Sequence, residues 1–289
     1  MGHANLDFVD IRTDTDTKLF IDPCLIELGT DQRSQQAYRL FNDFADTLFN
    51  EMRSNQWDRT ALLNDAHEIH ATKLGYGNGR NGRGKTADGL NECFYKLQRL
   101  ANGYPSLSQI QDLSVFVQDF AEDSMSDLLT NILHRILCEF TQEQMGKYGK
   151  EPAGIRPVRS WNSERHRWEE TLEPYWLCEG HTILLVPKQW VRKNFLFSAH
   201  QYLCSIIIAR MQATSEYSGY SRKDIWGSLS RTTAHWEYDR IMRQTAESPD
   251  LLSEYHDRML YFYHRKGGMM SDDDLDETVY HYTALDRAV

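Results

Sequence analysis

Apolar residues recur at three- and four-residue spacing in several parts of the chain, which is the period of a helix with one buried face. Residues 34–55 carry such a stripe, and the segment Ser124 to Met145 carries a wider one. A third apolar run covers Phe197 to Met211, and a fourth helix lies between a proline at 249 and the glycines at 267–268. The pattern predicts helices in these four stretches and in residues 87–101.

Short apolar runs bounded by turn residues predict strands. Two of them, 6–11 and 18–21, open the chain, and Asp22-Pro23 ends the second because the residue before a proline is held extended. Residues 156–168 surround a polar turn, which predicts a β-hairpin, and residues 182–186 predict a buried strand. Helical residues predominate, so we predict an α+β fold, helix-rich with a small mixed or antiparallel sheet.

The length of the chain suits one large domain or two small ones. We predict a single globular α+β domain over residues 1–270, with a sub-boundary near 149–157 as the alternative. Residues 271–289 carry six acidic side chains against one arginine. We therefore expect them to form an acidic, partly mobile tail.

Composition limits the classes of function. The 289 residues are 40% hydrophobic and carry a formal net charge of −10, so the surface as a whole is not the basic field typical of proteins that bind nucleic acid. Any contact with nucleic acid must then be local. Five widely separated cysteines, a polar N-terminus unlike a signal peptide and only short apolar runs predict a cytoplasmic protein with reduced thiols and no membrane contact.

The most biased stretch, residues 75–86, holds five glycines and three basic side chains, Arg80, Arg83 and Lys85. Residues 79–86 match the GxxxxGK[ST] phosphate loop of nucleotide-binding proteins, although the residues before them are not an apolar strand. A second interpretation is a cationic strap whose amides and basic side chains bind the phosphates of a nucleic acid or nucleotide. The third is a glycine-rich loop in solvent.

Residues 77–83, Gly-Asn-Gly-Arg-Asn-Gly-Arg, resemble the GNGRxxR half of the Fic adenylyltransferase motif. The resemblance implies nucleotidyl transfer, with the loop around the phosphates, an arginine paired with them and a preceding histidine as the base. His70 is the candidate for that base. Six residues separate it from Gly77, where the Fic motif has four, and Ala71-Thr72 follow it in place of proline and phenylalanine.

Acidic residues supply candidates for a metal site. Asp123 and Asp127 are four residues apart and share a helix face, where two carboxylates can hold Mg²⁺ or Mn²⁺. The alternative is helix capping, with Ser124 as the N-cap and Asp127 three residues further on. Glu68, just ahead of the glycine-rich stretch, is a further catalytic candidate.

Asp22 at the end of a predicted strand and Lys188 after a later one resemble part of the acid-and-lysine set of PD-(D/E)xK nucleases. The resemblance implies that Asp22 is a metal ligand and that Lys188 is a catalytic group that stabilises negative charge. The nuclease pattern also has an acid two positions before the lysine, where this chain has Val186.

Three hypotheses of function follow. In the first, the protein is a metal-dependent nuclease or phosphodiesterase in which Asp123 and Asp127, with Asp22 or Glu68, hold the metal while the basic side chains grip the phosphate. In the second, it is a non-enzymatic subunit of a multiprotein complex, and its C-terminal third, rich in tyrosine and tryptophan, binds a protein partner. In the third, it is a Fic-like nucleotidyl transferase.

Three further segments resemble uncharacterised bacterial or phage-associated proteins of defence loci. They are Leu19 to Pro23, Ser126 to Asn131 and Leu184 to Lys188. The resemblance implies a role in anti-phage defence and no particular reaction.

Overall fold

A computed structural model describes residues 2–54, 62, 69–76, 107–229, 232–265 and 268–281. Helices predominate, and both sheets are small and antiparallel. The prediction of a helix-rich α+β fold is therefore confirmed. The helix predicted over residues 87–101 lies outside the described residues.

Eleven α-helices occur in the described part of the chain. In chain order they are α1 Pro23–Leu28, α2 Gln32–Arg53, α3 Asp112–Phe116, α4 Glu122–Ile132, α5 His134–Lys147, α6 Ala199–Tyr202, α7 Ile208–Gln212, α8 Arg222–Ser228, α9 Trp236–Glu247, α10 Asp250–Arg265 and α11 Asp272–Asp276. A π-helical turn, Leu203–Ile207, joins α6 to α7. Another, Glu277–His281, follows α11.

The strands form two antiparallel sheets. They are β1 Phe20–Ile21, β2 Gly154–Asn162, β3 Arg167–Cys178, β4 His181–Ile183 and β5 Val191–Arg192. The larger sheet has the order β2-β3-β4, and β1 pairs with β5 in the smaller one. The predicted hairpin is β2–β3, and the Asn162 side chain closes its turn by accepting hydrogen bonds from the backbone N–H groups of Glu164 and Arg165.

The long helix α2 carries the stripe that its sequence predicts. Asp31 caps its first turn by accepting a 3.0 Å hydrogen bond from the backbone N–H of Ser34. Phe44 packs at 5.0 Å and 5.7 Å, between ring centroids, from Trp161 and Trp168 of the hairpin. Five residues of the stripe are fully or almost fully buried, and a sixth, Leu40, is partly buried: Phe41, Phe44, Leu48, Phe49 and Met52. Helix α2 thus joins the hairpin to a core cluster that extends from Val9 to Val279.

The helix predicted from Ser124 to Met145 is interrupted at Leu133, which separates α4 from α5. Its backbone there, φ −90° and ψ 5°, departs from helical geometry. In the preceding turn Thr130 and Asn131 donate hydrogen bonds to the backbone carbonyls of Ser126 and Asp127, four residues back. Such side chains compete for helical acceptors and bend helices.

The strand predicted over residues 6–11 is reduced to a single bridge between Phe8 and Pro187. Val9 donates its N–H to the Val186 carbonyl at 3.0 Å. On the other side of the bridge Lys188 donates its N–H to the Asp7 carbonyl at 3.1 Å, so Pro187 occupies the position of the bridge whose N–H is not used. Likewise the buried strand predicted to reach Val186 ends its sheet pairing at Ile183.

Residues 271–281, in the segment expected to be a partly mobile tail, are helical and pack against the N-terminus. Ser271 and Asp274 form a capping box at the start of α11. Asp276 lies 2.5 Å from the Nδ1 atom of the fully buried His3 and accepts a 2.9 Å hydrogen bond from its backbone N–H. The described part of the tail is thus joined to the body of the protein.

We expect Phe44→Ala to destabilise the fold by about 3–5 kcal/mol, because it removes a buried ring between α2 and the hairpin. Urea unfolding followed by tryptophan fluorescence measures the change. Asp46→Ala, on the exposed side of the same helix, is the control and should change stability by less than about 0.5 kcal/mol. Equal destabilisation by the two variants would contradict this packing.

Candidate phosphate-binding site

Residues 69–76 lead into the glycine-rich stretch and are held by backbone hydrogen bonds on two sides. The Ala71 carbonyl accepts a 2.8 Å hydrogen bond from the N–H of Leu184, which follows β4. On the other side, Thr17 donates its N–H to the Lys73 carbonyl at 2.8 Å and accepts the N–H of Gly75 at 2.9 Å. The backbone of this segment therefore has a fixed place between the N-terminal part of the chain and the hairpin sheet.

A basic pocket of about 280 Å³ lies between this segment and the three-stranded sheet β2-β3-β4. Four of its lining side chains are imidazoles or cations: His70, Lys73, Arg156 and His181. None of the described residues that line it is acidic. Pockets lined by converging basic side chains suit phosphate oxygens, with arginine as a bidentate donor and lysine as a point charge.

Three elements bring these basic side chains together. His70 and Lys73 belong to the segment 69–76, Arg156 belongs to β2, and His181 is the first residue of β4. A tight turn with positive φ at Glu179 and Gly180 reverses the chain and so places His181. The Arg156 guanidinium lies 5.8 Å from the centre of the Tyr175 ring, which supports it by a cation–π contact.

The C-terminal end of the segment 69–76 lies beside acidic residues. Gly75 has a φ of +144°, and a Cβ atom added there would lie 3.1 Å from an Asp123 carboxylate oxygen. Both facts favour glycine at this position. The Tyr76 hydroxyl donates a 3.2 Å hydrogen bond to Glu122, and burial, reinforced by the Glu122 charge, raises the pKa of Tyr76 to about 12. The glycine-rich stretch thus begins beside Glu122 and Asp123.

The predicted cap at Ser124 is wrong, because α4 begins at Glu122 and Ala121 is its N-cap. Glu122 and Asp123 occupy the first turn, where the helix dipole stabilises negative charge. Asp127 lies one turn further along the same helix. The earlier start moves Asp123 into the first turn of α4, where its carboxylate lies beside Gly75.

Asp22, a predicted metal ligand, is completely buried at the start of α1. Its two carboxylate oxygens accept hydrogen bonds from the backbone N–H of Cys24 at 2.9 Å and from the Tyr263 hydroxyl at 2.5 Å. Burial raises the pKa of Asp22 to about 7, against the opposing effect of these hydrogen bonds and of Arg192. Both oxygens already accept hydrogen bonds within the fold, so a metal ion would have to displace these partners.

Lys188, a predicted catalytic residue, contacts the N-terminus and the tail. Its Nζ atom donates to the His3 carbonyl at 2.8 Å and to the Asp272 carboxylate at 2.6 Å. These contacts join α11 to the rest of the fold. Lys188 would have to leave Asp272 before it could act on a substrate.

Other predicted residues lie outside the described part of the chain: Glu68, Arg80, Arg83 and Lys85. Among the described residues, no three histidine, cysteine or acidic side chains are grouped so that they could hold a metal ion. Asp123 and Asp127 are thus a pair of candidate ligands. Magnesium is commonly held by one or two carboxylates, with substrate phosphates and water completing its coordination.

The aromatic residues of the C-terminal third are mainly part of the core. Tyr255 and Tyr263 are fully buried, and their hydroxyls accept hydrogen bonds from the backbone N–H groups of Ser198 and Leu196. Trp226 and Trp236 are partly buried and contact each other, with ring centroids 5.0 Å apart. Within this set, Tyr261 is largely exposed, at 52%.

Sequence analysis did not identify Lys73, Arg156 or His181 as functional residues. They stand in three separate segments and show no common spacing. The fold brings them together in two ways. Strand β3 pairs with both β2 and β4, and backbone hydrogen bonds hold residues 69–76 beside this sheet.

The fold and the pocket define a helix-rich α+β protein with a local basic site on an acidic chain. The protein belongs to the DUF8370 family, a domain of unknown function, whose model matches residues 2–198. Neither the curated proteins nor the solved structures contain a match. The matched part includes all four basic pocket residues and α4, and it ends just before α6.

In the ranges that the structure describes, no helix combines the length and the apolar character needed to cross a bilayer.

The stability of the Asp22→Asn variant tests whether Asp22 is a structural group. Folded Asp22 keeps a proton up to about pH 7, whereas the unfolded carboxyl loses it near 3.8, so wild-type stability falls as pH rises between these values. Asparagine keeps the cap and does not titrate. We expect the free energy of unfolding of the variant, relative to that of the wild type, to increase by up to about 1.4 kcal/mol per pH unit over this window.

Urea unfolding of both proteins from about pH 4 to about pH 8 measures this difference, and effects of the other carboxyl groups largely cancel in it. A constant difference across the range would contradict a raised pKa of Asp22.

Proposed function

We propose that this protein binds the phosphates of a nucleic acid or nucleotide in the basic pocket formed by His70, Lys73, Arg156 and His181. The observation that carries the proposal is the position of this pocket on the segment that leads into the glycine-rich stretch. Arg80, Arg83 and Lys85 follow along the chain and would extend the same basic surface.

The local character of the charge supports specific rather than general binding. The whole chain has a formal net charge of −10, so a long duplex gains little from its overall field. A few phosphates in contact with a basic pocket are a better match. Single-stranded nucleic acid and nucleotides offer phosphates of this kind.

We further propose that the bound phosphodiester is hydrolysed with Mg²⁺ or Mn²⁺ held by Asp123 and Asp127. The acidic start of α4 touches Gly75 and Tyr76, while the basic pocket includes His70 and Lys73, so carboxylates and cations flank one short segment. A metal ion at the carboxylates would polarise a phosphate and activate water. Glu68 remains a candidate base, and the proposal makes no use of Asp22 or Lys188.

A cytoplasmic location and a role in anti-phage defence belong to the same proposal. All four described cysteines are free thiols, as in reducing compartments: Cys24, Cys138, Cys178 and Cys204. The defence role rests on the sequence resemblance alone.

Nucleotidyl transfer is the second candidate function, because His70, the histidine of the Fic-like pattern, lines the basic pocket. Incubation with labelled ATP distinguishes it from hydrolysis. Label transfer that His70→Ala abolishes would support it, and cleavage without transfer would favour the nuclease.

Removal of a pocket charge should weaken binding. We expect Lys73→Gln and Arg156→Gln each to lower affinity for a fluorescent single-stranded oligonucleotide about tenfold at low salt, and to reduce the salt slope by about one. Fluorescence anisotropy at several salt concentrations measures both. Arg159→Gln, on the same strand but outside the pocket, is the matched control and should retain binding. Equal losses in all three variants, or no loss in the pocket variants, would refute the site.

The metal hypothesis predicts a separate effect on catalysis. We expect Asp123→Asn to lower Mn²⁺-dependent cleavage of single-stranded DNA or RNA on the order of a hundredfold, while oligonucleotide binding persists. Asp119→Asn is the control, since its φ of +59° suits asparagine and the same charge is removed nearby. Absence of cleavage by the wild type would exclude hydrolysis and leave phosphate binding to be judged by the anisotropy data.

A further inference from the structure

A second cleft, distinct from the basic pocket, opens between α2, α5 and the hairpin near its turn. Its volume is about 350 Å³, within the range of small-molecule sites. The polar lining includes Gln36 of α2, Arg135 of α5, and Ser160 and Thr171 of the hairpin. Leu40 and Ile136 provide apolar surface beside them.

Two hydroxyl groups of this cleft make no hydrogen bond to a described group. The Thr171 Oγ1 atom is buried and has no partner. A buried hydroxyl without a hydrogen bond is unfavourable, so this group is suited to a ligand that enters the cleft. The Ser160 hydroxyl lines the same cleft and also makes no hydrogen bond to a described group.

The side chains at the mouth of the cleft add further unused hydrogen-bonding capacity. The Gln36 amide and the Ser163 hydroxyl have no partner among the described residues. An amide and hydroxyls donate and accept equally well. The site therefore offers mixed groups rather than a single kind of donor.

The charges that line the cleft disfavour an anion, in contrast to the basic pocket. The lining has one cation, Arg135, against three carboxylates, Glu139, Glu164 and Glu169. Arg135 pairs with Glu139 at 3.1 Å, and Glu169 pairs with Arg165 and Arg167 of the hairpin at 2.8 Å each. Two of the three carboxylates are therefore already paired, and a cation would have to compete with these arginines.

We infer that this cleft binds a neutral polyhydroxylated small molecule of the size of a monosaccharide. Sugar hydroxyls donate and accept at once, as do the unpartnered groups of the cleft. The C–H face of a sugar ring is apolar and matches the surface of Leu40 and Ile136. The inference stands apart from the proposed phosphate site and does not depend on it.

Saturation-transfer NMR on the full chain tests this inference with glucose, N-acetylglucosamine, ribose and myo-inositol as probes. Arginine, spermidine and inorganic phosphate serve as charged comparisons. We expect at least one neutral probe to bind with a Kd of about 1 mM or tighter. Gln36→Ala and Ser160→Ala should each weaken its binding about fivefold, the effect of one lost hydrogen bond.

Gln35→Ala is the matched control, since Gln35 adjoins Gln36 on α2 but does not line the cleft. It should bind the neutral probe as the wild type does. Ser160→Ala should not lower the melting temperature, because the Ser160 hydroxyl makes no hydrogen bond to a described group. A misfolded variant is therefore recognisable. Binding of the charged compounds only, no binding of any neutral probe, or equal binding by wild type, Gln36→Ala and Ser160→Ala would overturn the inference.

Discussion

The backbone hydrogen bonds of residues 69–76 determine how the candidate phosphate site is built. Thr17 holds this segment from one side and Leu184 holds it from the other. Without these contacts, His70 and Lys73 would have no fixed relation to the hairpin sheet. Backbone hydrogen bonds tie this segment at three points, and a segment tied in this way opens less readily than a free loop.

The same segment separates opposite charges. Asp123 and Glu122 lie at its Gly75–Tyr76 end, whereas the basic pocket lies toward β2 and β4. The proposed metal-assisted hydrolysis of a phosphodiester would use both kinds of group, the cations for the anionic oxygens and the carboxylates for the metal. A helix N-terminus is a favourable place for such acids, since the dipole offsets part of their mutual repulsion. Their positions therefore follow from stable local structure as well as from chemistry.

Sequence patterns identified the elements better than they identified the site. The α2 stripe and the β2–β3 hairpin are both present, because periodicity and turn chemistry act over a few residues. Burial depends on the whole fold. From the sequence, Asp22 is therefore interpreted as an available carboxylate at a strand end. In the fold it accepts a hydrogen bond from the hydroxyl of Tyr263, which is more than two hundred residues away in the chain.

The hairpin is shared by the two proposed ligand sites, since Arg156 and Ser160 are on the same strand. Their Cα atoms are about 13 Å apart at the usual rise per strand residue. His134 of α5 lies beside this part of β2, and burial together with the Arg156 charge lowers the pKa of His134 to about 4. The His134 imidazole therefore stays neutral near pH 7. The nine registered residue pairs of β2 and β3 therefore hold the two proposed sites at a fixed separation on one hairpin.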